Sequence, residues 1–328
     1  MKHLHHLAKK IRKGEKIPAA WGALLTALTP ITRLGMQLRL ARKRTRVKAH
    51  VVSFGNITAG GTGKTPAVIE RARAETLAGR RVAVLTRGYG TGDSSIFAVG
   101  PDEPDSPEWA RVLGDEPALI RRRVPGVAVV KGADRVAAAQ LAVERFGCDV
   151  LILDDGFQYV LLERDENILL IDATNPFGNG RLIPRGILRE PLIALSRATH
   201  FVLTRCDQAS DLGGLLRTLE KLAPGRPIRK TRHAPVALRR LSDSASLPLE
   251  TLRGRAIAAA CAIGNPDAFF ATLERLGARL VETYPYRDHS SFTVTSAYPI
   301  VITEKDAVRL ANAPENIWAL EIALEDVE

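Results

Sequence analysis

Residues 55–65 read GNITAGGTGKT, and this stretch decides the fold of the chain. An apolar segment at 49–54 precedes it and an amphipathic segment at 65–78 follows it, so the local order is strand, loop, helix. The closing GKT matches the end of the phosphate-binding pattern G-x-x-x-x-G-K-[ST]. Where that pattern begins with glycine, this chain has Thr58. The stretch is therefore either a nucleotide site with an altered first corner or a glycine-rich turn.

A loop of this kind binds phosphate through backbone N–H groups at the amino terminus of a helix, whose dipole favours anions. The three glycines of the loop give it a permissive backbone, Lys64 places a charge near the phosphates, and Thr65 offers a hydroxyl to Mg²⁺. Thr58 removes one backbone freedom but none of these donors. We therefore predict a nucleotide site made by Thr58, Ala59, Gly60, Gly61, Thr62, Gly63, Lys64 and Thr65.

Short apolar segments alternate with helical segments from residue 49 onward. Continuous β-branched runs joined by helical crossovers predict a P-loop NTPase-like α/β fold, a parallel sheet with helices on both faces. Ligands bind at the carboxyl ends of the strands in such sheets, and the polar motifs of this chain fall there. The predicted strands are 49–54, 81–86, 126–130, 149–153, 167–171 and 199–203, and the predicted helical segments are 65–78, 115–123, 133–146 and 192–197.

The segment 149–158, DVLILDDGFQ, ends a predicted strand with two aspartates. In phosphate-loop enzymes an aspartate at this place lies near the metal, so Asp154 is the leading candidate for a Mg²⁺ ligand. Successive residues at a strand end point apart, and Asp155 is expected to have other partners. A strand-ending aspartate often caps a turn instead, so the prediction depends on the phosphate loop.

Positive charge is concentrated in residues 1–48, which contain thirteen Lys and Arg and one acid. This segment carries a net charge of +12 and the other 280 residues carry −1, which argues against a nucleic-acid partner. The apolar run at 17–31 is shorter than the ~20 residues that span a bilayer. Its tryptophan and its leucines at helical spacing predict a helix in the membrane interface. A signal peptide and a basic helix packed on its own domain are the alternatives.

The 328 residues provide enough chain for one large or two medium domains, and three distant cysteines give no disulfide or metal spacing. The alternation is lost around 229–250 and then resumes. The later predicted elements are strands at 255–261, 278–284, 299–303 and 317–321 and a helix at 266–276. The expected parts are a membrane-association segment at 1–48, a kinase-like core at 49–230, a linker or hinge at 231–250, and a smaller α/β domain at 251–328.

Several other residues are weaker candidates on sequence grounds. Asp115, in GDEPAL, is typical of a helix start, and His289, in YPYRDHSSF, fits a surface or hinge position. The loop 178–190, GNGRLIPRGILRE, carries three arginines that suit phosphate recognition, with a solvated basic loop as an equal alternative. TRCD at 204–207 lacks the lysine of the guanine-reading [NT]-K-x-D motif, which argues against GTP.

Eight sequence blocks occur in order between about residues 50 and 310. They are GNITAGGTGKTP, LTRGYG, GDEPALI, DVLILDDGFQ, FGNGRLIPRGILREPL, IGNPDAFF, RDH and ITEKDAVRL. Together they resemble the tetraacyldisaccharide 4′-kinases of lipid A biosynthesis. The resemblance implies transfer of the γ-phosphate of ATP, with Mg²⁺, to the 4′-hydroxyl of a tetraacyl glucosamine disaccharide 1-phosphate. It also implies a peripheral protein on the cytoplasmic face of the bacterial inner membrane, attached through residues 1–48, and we expect a monomer.

The resemblance also assigns roles to single residues. It makes Asp115 the catalytic base and His289 its partner on the second domain. The family too lacks the first glycine of the phosphate loop, here Thr58. It places Asp154, Asp155 and Thr65 at the metal, and Arg135, Gln158 and Arg189 at positions that hold phosphates or substrate.

The family usually reads DDGFQH, and Tyr159 stands in place of that histidine here. A tyrosine can keep a role as a donor but not as a base or a ligand. The alternative function is that of a membrane-associated regulatory P-loop ATPase. Such proteins carry a lysine before the double glycine, where this chain has Ala59.

Overall fold

The computed structural model describes residues 10–11, 18–88, 95–287, 290, 293–310 and 314–328. The helices in these ranges are α1 (Ala19–Leu40), α2 (Lys64–Leu77), α3 (Glu108–Leu113), α4 (Asp115–Arg123), α5 (Arg135–Phe146), α6 (Leu212–Leu222), α7 (Pro266–Arg275) and α8 (Glu304–Ala307). The strands are β1 (His50–Asn56), β2 (Val82–Thr86), β3 (Phe97–Val99), β4 (Ala128–Lys131), β5 (Val150–Leu153), β6 (Glu166–Asp172), β7 (His200–Thr204), β8 (Ile228–Arg240), β9 (Ser246–Leu247), β10 (Ala256–Cys261), β11 (Arg279–Pro285), β12 (Ile300–Thr303) and β13 (Ile317–Asp326).

The strands form one sheet in the order β11-β10-β12-β13-β8-β7-β6-β1-β5-β2-β4-β3, with β9 paired to β8. From β4 to β7 all neighbouring strands are parallel, and β3 is an antiparallel edge strand. The predicted parallel α/β sheet is confirmed. Each predicted strand begins within two residues of the first residue of an observed strand.

Strand β5 shows why both faces of this sheet are covered. Val150 and Ile152 pack in the apolar cluster that contains α2, whereas Leu151 and Leu153 pack in the cluster that contains α5. All four side chains are almost fully buried. Because successive side chains of a strand point to opposite faces, a continuous apolar run requires a helix on each side.

Residues 231–250, predicted to be a linker, are in large part strand. Strand β8 runs parallel to β7 at residues 228–230 and then pairs antiparallel with β13 over residues 231–240. Its many arginines hide the strand pattern in the sequence, and they are neutralised across the ladder. Arg229, Arg232 and Arg239 form ion pairs with Asp326, Glu325 and Glu321 of β13. The domain boundaries themselves remain predictions.

The long β8–β13 ribbon sets the orientation of the second half of the sheet. The part of β8 that pairs with β13 lies beyond the end of β7, and β10, β11 and β12 run parallel to β13. The carboxyl ends of these strands therefore point back toward the carboxyl ends of the first half. Any site at this edge is built from both halves.

Helix α1 lies against the first half with much of its surface uncovered. Thr32 Oγ1 donates to the carbonyl of Ile183 at 2.9 Å. The helix continues through Pro30. In the part of the chain that the structure describes, no helix has the length and apolar character needed to cross a membrane. The exposed large apolar side chains of α1 are Trp21, Leu24, Leu28, Ile31, Leu34 and Leu38.

Candidate active site

The phosphate loop joins β1 to α2 at the carboxyl edge of the sheet. Gly60 has φ 133° and Gly63 has φ 76°, values that disfavour residues with a Cβ. Gly63 precedes α2 and provides no side-chain cap, so the first N–H groups of α2 are open to an anion. Thr65 lies in the first turn of that helix and is buried. The local geometry is that of a phosphate site.

The altered first corner of the loop is held by the protein itself. Thr58 forms a β-bridge with Leu188, and the N–H of Ala59 donates to the carbonyl of Ile187 at 2.7 Å. The Asn56 amide supports the same turn, since its Nδ2 donates to the carbonyl of Thr58 at 2.7 Å. Thr58 and Ala59 thus anchor the loop to the 187–188 backbone, while the glycines that follow remain open to ligand.

Lys64 projects back over the loop toward the end of β5. Its Nζ donates to Asn56 Oδ1 at 3.1 Å and lies 3.2 Å from Asp155 Oδ1. The side chain is largely buried. A lysine held by one carboxylate in this position can exchange that partner for a phosphate oxygen.

Asp154 and Asp155 have different surroundings. Asp154 is 5% exposed, and its Oδ1 has no hydrogen-bond partner among the described residues. Burial, with the nearby Glu116 charge, raises the pKa of Asp154 to about 7 despite the opposing charge of Lys64. A carboxylate that is buried and unsatisfied in this way fits a cation ligand.

Asp155 adopts φ 54°, which turns its carboxylate toward basic groups. Arg189 Nη1 donates to both of its oxygens, at 2.8 and 3.1 Å. Burial alone would raise the pKa of Asp155, but Lys64 and Arg189 lower it below its usual value. Asp155 is therefore an ionised carboxylate shared by two cations.

Gln158 and Arg189 belong to the same network. Gln158 Nε2 donates to the carbonyl of Asn56 at 2.9 Å, and its Oε1 accepts from Arg189 Nη1 at 3.3 Å. The turn that carries Gln158 is fixed by half-buried Arg164, which donates to the carbonyls of Gly156 and Tyr159. Burial lowers the pKa of Arg164 to about 10. The structure thus brings both predicted residues to the phosphate loop.

Arg135 and Tyr159 lie at the amino end of α5. Arg135 is buried, with Nη1 donating to the carbonyl of Gly132 at 2.6 Å. Tyr159 Oη donates to Asp134 Oδ1 at 2.9 Å and accepts from the N–H of Val136 at 3.3 Å. Tyr159 thus completes the cap of this helix.

Asp115 begins α4 and faces the second half of the sheet. Arg309, just beyond α8, donates from Nε to Asp115 Oδ1 at 2.7 Å and from Nη2 to Oδ2. Arg309 Nη1 also donates to the carbonyl of Ser290 at 3.0 Å. His289, the predicted partner of Asp115, lies outside the described residues. The structure shows an arginine from the second half holding the candidate base.

A cavity of about 210 Å³ lies between α1 and the first half of the sheet, beside this network. Its wall combines arginines with apolar groups, a mixture that suits an amphiphile with an anionic head. The lining residues are Ile31, Thr32, Gly35, Met36, Arg39, Leu40, Gln158, Val160, Arg189, Glu190 and Arg197.

Comparison with known proteins decides the family. The LpxK family, described as tetraacyldisaccharide-1-P 4′-kinase, matches residues 20–326. The chain belongs to the tetraacyldisaccharide-1-P 4′-kinase family. The tetraacyldisaccharide 4′-kinase of Anaeromyxobacter sp. (strain K) is 44% identical over 278 residues, covering 81% of this chain and 73% of the relative. That of Geobacter sulfurreducens is 38% identical over 325 residues, covering 92% and 89%.

A solved structure of the same family supports the fold. LpxK from Aquifex aeolicus, crystallised in complex with ATP, superposes with a TM-score of 0.75 at 30% identity. The match covers 92% of this chain and 95% of that chain. The resemblance inferred from the sequence blocks is confirmed, and the chain is a kinase of this family. The alternative of a regulatory ATPase has no support from these matches.

Four residues of the site were missed by reasoning from sequence patterns. Asn56 ends β1 and supports Lys64, Glu116 follows the candidate base, and Lys305 and Arg309 reach the site from the second half. The last two stand in the ITEKDAVRL block, which contributed to the resemblance but suggested no role. Their partners are nearly 200 residues away in sequence, so no local spacing could reveal them.

The described side chains could supply one or two ligands to Mg²⁺, but not a complete set. No group of three or more His, Cys, Asp and Glu side chains arranged for a metal occurs in the described residues. Mg²⁺ in phosphate-transfer sites needs only one or two protein ligands, because waters and substrate phosphates supply the rest. The unsatisfied Oδ1 of Asp154, which lies in the electrostatic field of Lys64 at the start of α2, meets that requirement.

Proposed function

We propose that this enzyme transfers the γ-phosphate of ATP to the 4′-hydroxyl of a tetraacyl glucosamine disaccharide 1-phosphate. The observation that carries the proposal is the convergence of Lys64 and Asp155 with the buried, unsatisfied Asp154 beside an open helix amino terminus. These groups match the two demands of phosphoryl transfer, which are positioning and charge neutralisation. The related LpxK from Aquifex aeolicus was crystallised in complex with ATP, which supports ATP as the phosphate donor.

In the proposed site the phosphates of ATP lie on the open N–H groups between Gly60 and Thr65. Lys64 exchanges the Asp155 carboxylate for phosphate oxygens, while Arg189 keeps Asp155 in place. Thr65 and Asp154 would hold Mg²⁺, with Asp155 as a further candidate, and the bound ion would neutralise charge on the phosphates. Arg189 and Gln158 are placed to orient the reacting groups from one side, and Arg135 fixes the start of its own helix, α5, by donating to the carbonyl of Gly132.

Asp115 is the proposed general base, as the family resemblance implies. Its carboxylate is ordered by Arg309, which stabilises a defined orientation toward the cleft between the two halves. The proton of the sugar hydroxyl would pass to an Asp115 oxygen as that hydroxyl attacks. His289, as the second member of the pair, remains a prediction.

The acceptor is proposed to approach along α1. The cavity between α1 and residues 158–197 opens a path to Arg189 for the anionic sugar head, and the exposed apolar face of α1 would contact acyl chains and lipid. The enzyme would then work as a peripheral monomer on the cytoplasmic face of the inner membrane. Basic residues near an anionic leaflet each add about 1 kcal/mol of attraction, which supports this orientation.

The direct test uses γ-labelled ATP, Mg²⁺ and the disaccharide 1-phosphate dispersed in detergent. We expect label in the lipid product, and none when the lipid is omitted. The Lys64→Ala variant should lose transfer, whereas Arg80→Ala, an exposed change beyond the carboxyl end of α2, should keep it. Release of labelled phosphate without labelled lipid would contradict the proposal and favour an ATPase.

A further inference from the structure

Lys305 lies in the first turn of α8, immediately after β12. The turn is rigid because Thr303 caps it and its hydroxyl donates to buried Asp306 at 2.6 Å. From this position Lys305 reaches across the cleft, and its Nζ pairs with Oε1 of Glu116 in α4. Glu116 directly follows Asp115, so Lys305 approaches the candidate base from the second half.

The Lys305–Glu116 pair therefore places the ammonium beside the first residues of α4, where the proposed base Asp115 would meet the acceptor hydroxyl and the γ-phosphate. Burial is the largest cause of the raised pKa of Asp154. Among the nearby charges, Glu116 raises this pKa further and Lys305 lowers it. Lys64 lowers it from the side of the phosphate loop. Asp154 therefore lies in the field of two lysines, one from each half of the sheet.

The Lys305–Glu116 pair contributes little to holding the halves together. Its side chains are 37% and 41% exposed, and exposed pairs are worth about 0–1 kcal/mol. The neighbouring Arg123–Glu304 pair between the same two helices is only 8% and 12% exposed. Docking of α8 on α4 is thus provided by buried contacts, and Lys305 is left with a partner that it can exchange at small cost.

We propose that Lys305 is a second catalytic cation, which leaves Glu116 for the transferred phosphoryl group when ATP and acceptor are bound. This inference rests on the proposed kinase function. During transfer the acceptor oxygen forms a bond to the γ-phosphorus, and the bond from that phosphorus to the β–γ bridging oxygen breaks. The bridging oxygen keeps the electron pair and leaves as part of ADP, while the hydroxyl proton passes to Asp115. Lys64 and Lys305 neutralise the charge from opposite sides.

The test compares Lys305→Gln with the wild-type enzyme in the labelled-lipid assay, together with binding of a fluorescent ATP analogue. Removing one group that stabilises transition-state charge typically lowers kcat by about 10²–10³-fold. We expect a loss of this size with nucleotide affinity nearly unchanged, and partial recovery of kcat in Lys305→Arg. Since Lys305 is half-buried and its pair with Glu116 is weak, the melting temperature should stay near that of the wild type.

Arg122→Gln is the matched control. Arg122 also joins α4 to α8, with Nη1 donating to the carbonyl of Ala307 at 2.9 Å, but its other partner is Asp105. It should keep near-wild-type kcat. An equal loss in both variants would show that Lys305 merely docks the halves, and an unchanged kcat in Lys305→Gln would overturn the inference directly. If the wild type itself labels no lipid, the proposed function fails, and this inference fails with it.

Discussion

The imidazole of His233, on β8, packs against the Cα of Gly63 in the phosphate loop. A Cβ at Gly63 would lie 2.5 Å from His233 Cε1, and Gly63 also has a φ of 76°. Burial and the nearby Arg205 lower the pKa of His233 to about 4, so the ring is neutral at pH 7. A neutral ring can pack this close to an anion site without adding a charge of its own.

This contact predicts that Gly63→Ala loses nucleotide binding and kinase activity. Both the backbone strain and the clash with His233 oppose a Cβ, and non-glycine left-handed positions cost about 1–3 kcal/mol. The Gly63→Ala/His233→Ala double variant removes the clash but keeps the strain. Binding of a fluorescent ATP analogue should recover only in part in the double variant, and full binding in Gly63→Ala would contradict the prediction.

Asp154 predicts a stability that depends on pH. Its pKa is raised from an ordinary 3.8 to about 7, so between these values the folded protein keeps a proton that the unfolded chain releases. Stability therefore falls as pH rises through this window, and the deficit is largest above pH 7. Asp154→Asn should melt at a higher temperature than the wild type at pH 8 without metal, with a smaller difference near pH 4.5.

Added Mg²⁺ and a non-hydrolysable ATP analogue provide the control for that comparison. They should raise the melting temperature of the wild type at pH 8 more than that of Asp154→Asn, because the variant lacks the anionic oxygen. Activity of Asp154→Asn should be strongly reduced at every pH. Equal stabilisation of the two proteins would show that Asp154 does not hold the metal.

The Arg123–Glu304 pair predicts a large loss of stability when one partner is removed. Both side chains are largely buried, and Glu321 lies 3.6 Å from the same guanidinium, so Arg123→Ala leaves two carboxylates close together without their shared cation. Breaking such a pair typically costs about 3–5 kcal/mol. Urea unfolding should show this decrease, whereas Arg232→Ala, which breaks an exposed pair with Glu325, should change stability by less than about 1 kcal/mol.

The uncovered face of α1 predicts membrane binding. Replacing Leu24, Ile31 and Leu38 with serine removes exposed apolar groups, each worth about 1.5–3 kcal/mol when buried in lipid. The triple variant should sediment poorly with anionic phospholipid vesicles while keeping its melting temperature. Leu77→Ser, at the exposed end of α2, is the control and should sediment like the wild type. Unchanged sedimentation of the triple variant would rule out this face as the membrane contact.

Local patterns were enough to predict the first half of the fold. Buried parallel strands are continuous apolar runs, and the phosphate loop follows the first of them. The pattern failed at β8, because the arginines of this strand pair with carboxylates of β13 and leave few apolar residues, such as Leu238, facing a core. A ladder that is stabilised by cross-strand ion pairs has no hydrophobic period to detect.

The site was predictable where its residues share one edge of the sheet. It was unpredictable where residues of the two halves of the sheet come together. Asp115 was better explained by a helix start than by catalysis, and it does begin α4. Its pairing with Arg309 depends on how the β8–β13 ribbon turns the second half back, which is a property of the whole sheet. The resemblance to a known family supplied the candidate that local physics could not.

The β-bridge between Thr58 and Leu188 ties the backbone of the phosphate loop to the backbone of the segment that leads to Arg189. Order gained by one part is therefore gained by the other. If nucleotide binding orders the loop and with it Arg189, the proposed acceptor contact, then by thermodynamic reciprocity the acceptor must tighten nucleotide binding by the same factor. The bridge at Thr58 thus predicts that the two substrates bind interdependently.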